Sequence, residues 1–465
     1  MPPVSSKNET VPSPDPKDKP VKQKRKSDEI DLAAKQADAK NIRQWKKALD
    51  EGNIWLGKGE LDAALVYFDR TIDLKDDYVF SYYDRGVALG QKAEFYFKTL
   101  DKEKAFEFWE RAIADYDRAL KMDAKYTDAY NNRGVAYLNM MNPEAAIADF
   151  TRALKTFPDN LYNVAPIYQN RANAYILLRN DSAAIDDFTN LLKFRPNSAY
   201  IGRGNAHLRQ LDFDDAISDC TKAKKIAETA DATECLTQAS ARKQEIEELQ
   251  KSEPKTANDY YTRGKDTLLK SKDYDSAIND LSKVIDMAPN LYVPRTYAQR
   301  GTAKNRKGEY DSAISDLKAA LDANPKLAEA HFQLGLSYIG KRASDAANGS
   351  LLNDAIDHFS QALKLDPKFG EASYHRALAY IDNKKIDADT ERDMLDAVEN
   401  YFDKQLAYIR LASLYDLMSQ NATGDLLKEL RDKARSARIR ATSSQKAIEP
   451  KKPAAPDPSV NIKQS

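Results

Sequence analysis

The chain has 465 residues, 31% of them charged, with Lys+Arg and Asp+Glu equal at 72 each. That balance leaves no net field to gather nucleic acid, and two cysteines are too few for a disulfide framework and fit a reducing compartment. No apolar stretch reaches the roughly 18 residues of a membrane span, so the expectation is a soluble, cytoplasmic protein without a nucleic-acid or membrane partner. A chain this long makes either two or three ordinary domains or one long solenoid.

Residues 1–28 are rich in proline and charge and open without an apolar run. They read as a disordered tail, neither signal peptide nor anchor. Its basic cluster, Lys22, Lys24, Arg25 and Lys26, is either a solvated face or a nuclear or anionic-surface contact. Beyond it the apolar residues take helical spacing, most clearly in 127–158, TDAYNNRGVAYLNMMNPEAAIADFTRALKTFP. Tyr130, Gly134 and Tyr137 recur at i, i+4 and i+7, as do Ala146, Phe150 and Ala153, so each trio shares one helix face. Asn142-Pro143 between them is a helix N-cap followed by proline at the first helical position, and Pro158 ends the second helix. Gly134 marks where the two helices come close, with Ala146 opposite. One such hairpin cannot bury both faces alone and needs copies beside it.

The copies run along most of the chain. Gly52, Trp55, Ala64 and Phe68 make the first, then Tyr82, Gly86, Ala112 and Tyr116. After the central unit come Tyr168, Ala172, Ala184 and Phe188, closed by Pro196, then Tyr200, Gly204, Ala216 and Cys220. Tyr260, Gly264, Ala277 and Leu281 follow, closed by Pro289. The next sets are Tyr297, Gly301, Ala313 and Leu317, then His331, Gly335, Ala355 and Phe359. A weaker ninth begins at Ala377 and Tyr380. This pattern resembles the tetratricopeptide repeat (TPR), a helix-turn-helix unit of about 34 residues. The resemblance implies an all-α solenoid, a right-handed superhelix whose concave wall is lined by the first helix of each repeat.

Three departures organise the array. Gly86 and Ala112 stand 26 apart where Gly134 and Ala146 stand 12 apart, which adds two turns to each helix of that repeat. The insert, near 91–105, carries Phe95, Tyr96, Phe97, Phe106, Phe108 and Trp109. These rings are either a projecting dock for a partner or a zipper closing the hairpin on itself. Residues 226–256 lose the pattern and read as a charged, solvated helical linker. It divides an N-terminal lobe, 41–225, from a C-terminal lobe, 257–440. GKRASDAANGS at 340–350 reads as a flexible loop, and 441–465 as a second disordered tail.

Comparing the repeats with one another gives a covariation. Arg85, Arg133, Arg171, Arg203, Arg263 and Arg300 precede the small residue of the first helix. Asp115, Asp149, Asp187, Asp219, Asp280 and Asp316 precede the large residue of the second. The first repeat has Glu51 and Tyr67 there, and the eighth has Leu334 and His358, so both residues vanish together. The expected cause is an Arg–carboxylate pair between the helices, worth about 0–1 kcal/mol if exposed.

The TPR resemblance also places certain residues on the concave wall: the one after the small residue and those two and three before it. Here these include Asn131, Asn132, Gln169, Asn170, Asn173, Asn205, Gln299 and Gln333, with a greasier C-terminal stretch of Tyr261, Phe332, Leu336, Tyr374 and Leu378. Amides both donate and accept, so they suit an extended peptide backbone of any sequence, similar to the asparagine-lined groove of O-linked sugar transferases. The two-carboxylate clamp of chaperone adaptors is not matched. Around Asn132 its other places hold Tyr83, Val87, Pro166 and Asn170, and around Asn170 they hold Asn131, Val135, Ser198 and Gly202, so no cation is available in either register. No phosphate loop, nucleophile elbow or zinc helix occurs, so neither catalysis nor a cofactor or metal is expected. His331, His358 and His375 fall on adjacent helices, where they either approach one another or pack separately. The function expected is a protein-binding scaffold or adaptor for peptide or helical segments. The alternative is a regulatory or substrate-presenting subunit of an enzyme complex.

Overall fold

The computed structural model describes residues 20–156, 164–251, 253–288, 293–345 and 349–444. Pro158 and Pro289, the expected helix stops, lie outside the described residues. Among those residues every regular element is a helix. The first five hairpins are α1 (Pro20–Gly57) with α2 (Leu61–Leu74), α3 (Val79–Lys98) with α4 (Lys102–Met122), α5 (Thr127–Asn139) with α6 (Pro143–Thr156), α7 (Val164–Leu177) with α8 (Asp181–Leu191), and α9 (Pro196–Arg209) with α10 (Phe213–Ile226). A single helix, α11 (Ala230–Lys251), follows. Five more hairpins are α12 (Ala257–Lys270) with α13 (Tyr274–Met287), α14 (Val293–Lys307) with α15 (Tyr310–Ala323), α16 (Ala328–Ser344) with α17 (Ser350–Leu365), α18 (Gly370–Asp382) with α19 (Ala388–Asn400), and α20 (Lys404–Ser419) with α21 (Gly424–Ser444). Inner helices of successive hairpins touch one another, as α3 touches α5 and α14 touches α16. These helices therefore converge and form the inner wall.

Local chemistry sets the hairpins. Asn142 Oδ1 accepts from the Ala145 amide at 3.3 Å, with Pro143 opening α6, as expected of that dipeptide. A residue in the left-handed region turns the chain from first to second helix: Gly59 and Gly308 in two hairpins, and Leu100, Met141, Arg179, Leu211 and Lys384 in others. Gly134 is required by close approach, but its neighbour is not Ala146. A Cβ there would lie 2.8 Å from Phe150 Cε1. The glycine accommodates the large ring of the second helix, which is why both positions repeat together.

The Arg–Asp covariation is a structural spine. All six pairs form, and each is bidentate: Nε and Nη2 of the arginine donate to the two carboxylate oxygens at 2.6–2.8 Å. A seventh joins Arg376 to Asp393 in the weak ninth repeat. Among the described residues, six of these arginines also donate from the remaining nitrogen, Nη1, to the residue after the large side chain of the preceding hairpin. The acceptors are Asp69, Asp117, Thr151, Thr189, Ser282 and Ser360. Each such arginine thus fastens both helices of its own hairpin and the second helix of the one before. A tyrosine three residues earlier lies under the guanidinium in the first six. The aspartate side chains are only 1–8% exposed, so these are not the exposed pairs of the sequence estimate. Burial pushes the Asp149 carboxyl up, against the pull of Arg133. Without its arginine the carboxylate would be stranded in the interior.

Several segments differ from expectation. α1 begins at Pro20, so 20–28 are helical and the N-terminal tail is shorter than expected. α16 carries helix through 340–344, most of the first half of the expected loop, and α21 continues to Ser444. α11 is not solvated all round: Ala232, Cys235, Ala239 and Ile246 are buried. Cys235 makes a disulfide with Cys220 of α10, with Cα atoms 5.7 Å apart, contrary to the expectation that the two cysteines fit a reducing compartment. Charge on most faces of α11 concealed a stripe of small residues that fits against α10.

The last hairpin returns to the first half of the chain. Arg179 pairs with Asp403 at 2.6 Å, Arg410 with Glu144 at 2.5 Å and Arg435 with Glu110 at 2.8 Å. Met141, Ile409 and Ala441 form a small apolar core between them, with Leu177 and Leu178 at its edge. The side chains from the first half come mostly from the turns of the third and fourth hairpins and from α4.

Arg133→Glu is expected to cost about 3–5 kcal/mol, the penalty of leaving Asp149 buried and unpaired. Asp149→Arg in the same chain should restore part of it. Urea unfolding of both single variants and the double variant measures the coupling, and zero coupling contradicts the pair. Reduction of Cys220–Cys235, which closes a loop of sequence separation 15, should lower stability by about 3 kcal/mol, read from urea curves with and without dithiothreitol.

Candidate protein-binding face

The amides divide into two groups. Asn131, Asn132, Gln169, Asn170 and Asn205 are half-buried and Asn173 is exposed, on the consecutive inner helices α5, α7 and α9. Asn131 Nδ2 donates to Asn132 Oδ1 at 3.2 Å, and Asn132 Nδ2 donates to Tyr83 Oη at 3.0 Å. Gln169 Nε2 donates to Asn173 Oδ1 at 3.3 Å. Asn131 Oδ1 is buried without a hydrogen-bond partner, an acceptor with unused capacity beside the wall. Gln299 and Tyr261 are half-buried further along.

On the rest of the C-terminal wall Leu336 and Leu378 are half-buried, but Phe332, Gln333 and Tyr374 are core and correct the sequence expectation. Phe332 is 6% exposed and packs on Phe359, Phe369 and His375. Gln333 is 7% exposed and its Nε2 is spent on Glu329 Oε1 at 2.8 Å. Tyr374 stacks on Tyr401. Here the next hairpin covers the positions that stay open on α5 and α7.

The aromatic hairpin is mostly a zipper. α3 and α4 are each seven residues longer than α5 and α6, as the insert required. Phe106 and Trp109 are buried, Tyr96 stacks on Phe108 with centroids 5.3 Å apart, and Phe97 leans on Trp109. Ile439 of α21 packs against the same cluster. Phe106 and Trp109 therefore cannot serve a partner. Of the six rings Phe95 stays open, 57% exposed, with Leu100 of the tip 81% exposed.

A second aromatic set was not singled out from the sequence. Trp45, Tyr78, Phe80, Tyr126 and Tyr83 follow one another with centroids 4.7–5.6 Å apart across the first three hairpins. The available signal was Tyr78 and Tyr126, each standing immediately before the inner helix of its hairpin. Asp84 adjoins this set. Burial, partly offset by a bond from Asn53, pushes its carboxyl up to about 6. Burial, with Asp128 and Asp84 nearby, pushes the Tyr83 hydroxyl up to about 12.

Two of the three clustered histidines meet: His331 Nδ1 and His358 Nδ1 lie 3.1 Å apart. His375 instead lies against Phe332 and Phe359, and burial holds it down to about 4. Among the described residues no three His, Cys, Asp or Glu side chains gather as metal ligands do. Burial lowers His331 and His358 too, the latter also through His331. An unfolded histidine takes its proton near pH 6.5 while folded His375 stays neutral to about pH 4. Stability is therefore expected to fall as pH drops through that window. His375→Leu should flatten the loss by about 2–3 kcal/mol, measured as urea midpoints from pH 7 to pH 4.

No curated protein sequence matches the chain. Among solved structures it is similar to yeast Tom70, at 13% identity over 88% of this chain and 98% of that one, with a TM-score of 0.29. It is also similar to MamA, at 21% identity over 42% and 98%, with a TM-score of 0.32. A third is a thermophilic TPR protein of Thermus thermophilus, at 18% identity over 41% and 98%, with a TM-score of 0.31. Profiles described as tetratricopeptide repeat match residues 127–160, 260–291 and 341–391, and a TPR repeat profile matches 109–140 and 301–341. Those segments fall on helices of the repeated hairpins, and the chain is a tetratricopeptide repeat protein, of a fold that in general serves protein–protein interaction.

Proposed function

We propose that the protein is a non-catalytic scaffold or adaptor that receives a peptide or helical segment of another protein on the inner wall of α5, α7 and α9. The observation that carries this reading is the run of amides on those helices. Asn131, Asn132, Gln169, Asn170, Asn173 and Asn205 recur at equivalent positions, are open or half-open, and are held on a spine of buried Arg–Asp pairs. A fixed row of donors and acceptors pairs with a backbone whatever its sequence, each bond adding about 0.5–1.5 kcal/mol. The wall holds no cation at the clamp positions, so a chaperone's carboxylate tail is not its ligand. Cofactors, nucleic acid and membranes have no part in this reading.

One observation favours a second reading, a regulatory or substrate-presenting subunit docked through the hairpin of α3 and α4. Phe95 and Leu100 stay exposed at its tip although the other rings are zipped. The two readings separate in a pull-down comparing the wild type with Asn132→Ala/Asn170→Ala/Asn173→Ala and with Phe95→Ala/Leu100→Ala. Loss of a captured protein in the amide variant alone is the expected result. Loss in the hairpin variant alone would transfer the function to the tip.

A further inference from the structure

The inner wall next to the amides has a chemistry of its own. Phe80 is 44% exposed, and the rings of Tyr126 and Tyr83 lie half-buried beside it. Asp84 stands one helical turn beyond Phe80 on α3, and Asp128 stands two residues after Tyr126 on α5. Both carboxylates act on the Tyr83 and Tyr126 hydroxyls. Tyr83 is tied to Asn132, so these rings and carboxylates adjoin the amide row directly.

Along the spine seven buried aspartates each have an arginine. Asp84 does not. It is bonded by Asn53, and among the described residues neither Asp84 nor Asp128 has an ion pair, although 36 such pairs are formed between other groups. A half-buried carboxylate over an aromatic surface repels an anionic ligand and is left desolvated by an apolar one. A cation satisfies it, and aromatic faces within about 6 Å attract the same cation.

We propose that this face binds a lysine or arginine side chain carried by an extended segment of a partner protein, the cation lying against Phe80 and Tyr126 between Asp84 and Asp128. The segment's backbone then continues along the amides of α5 and α7, so the inference rests on the groove reading above and names its specificity. The occupant is a protein segment because the amide row offers backbone contacts that a free ammonium would leave unused.

The test is fluorescence anisotropy of the purified full chain with labelled peptides of repeated Gly-Ser-Lys, Gly-Ser-Gln and Gly-Ser-Glu of equal length. The lysine peptide is expected to bind about tenfold more tightly than the glutamine peptide, and the glutamate peptide more weakly than either. Asp84→Asn and Asp128→Asn should each bring the lysine peptide towards the glutamine level and leave the glutamine peptide unchanged. Phe80→Ala should act in the same direction, and Asp322→Asn on distant α15 should change nothing. Equal binding of lysine and glutamine peptides, both lost in the Asn132/Asn170/Asn173 variant, would overturn the cation site and leave the groove standing. Lysine binding indifferent to Asp84→Asn and Asp128→Asn would overturn it as well, and no binding of any peptide would overturn both readings. Tighter lysine binding after Lys22, Lys24, Arg25 and Lys26 are changed to Gln would assign the face to the chain's own basic cluster. Self-association abolished by Asp84→Asn would assign it to a second copy. Either result overturns the partner proposal.

Discussion

A carboxylate inside a protein is tolerated only where its charge is met. In this chain that requirement recurs seven times at the same place in the repeat, and it fixes more than a contact. The guanidinium is a rigid fork with donors on three sides. Two of them hold the buried aspartate, and in six repeats the third reaches a hydroxyl or carboxylate on the second helix of the previous hairpin. The rotation and the height of each inner helix are then set relative to two other helices at once. An ammonium on a flexible stem could supply the charge but not that geometry. The amide row faces one direction because the arginines, on the same helices, are clamped in one direction.

Much of this was legible. The glycine, ring and Arg–Asp positions identified the hairpins and paired six residues with six others, all of which meet. The seventh pair escaped because the weak ninth repeat is recognised only by Ala377 and Tyr380 of its first helix, with no second helix assigned to it, although Arg376 and Asp393 kept their places. The sequence carries a further correlation. The residue after the large side chain is Thr, Ser or Asp before an arginine-bearing helix, but Lys318 precedes the helix that carries Leu334. Acceptor and donor are lost together there, as the geometry demands.

What the sequence hid was burial that depends on distant packing. Phe332 and Gln333 occupy the positions that Asn131 and Asn132 occupy on α5, and no periodicity distinguishes them. Phe332 is interior because the Phe369 and His375 rings of the following hairpin close over it, and Gln333 beside it is buried with its amide tied to Glu329. The rings of the insert were open to two readings from spacing alone. Their interior arrangement follows from the extra turns, which place Tyr96 opposite Phe108 and Phe97 opposite Trp109, while α21 arrives from far along the chain to cover the cluster. α11 misled for a related reason: charge counted around a helix does not reveal a stripe of alanines and one cysteine.

The return of α20 and α21 to the first hairpins changes the kind of object this solenoid is. An open array behaves as a one-dimensional lattice in which each repeat feels only its neighbours, and its ends fray first. Here hydrogen bonds join residues 224, 266, 325 and 341 positions apart. The lattice acquires a periodic boundary, so one terminus cannot melt without disturbing the middle of the other half. Closing so long a loop carries an entropic cost that grows only with the logarithm of its length, but it waits on both halves being formed. The seam is therefore the last part of the molecule to assemble and the natural place for it to open.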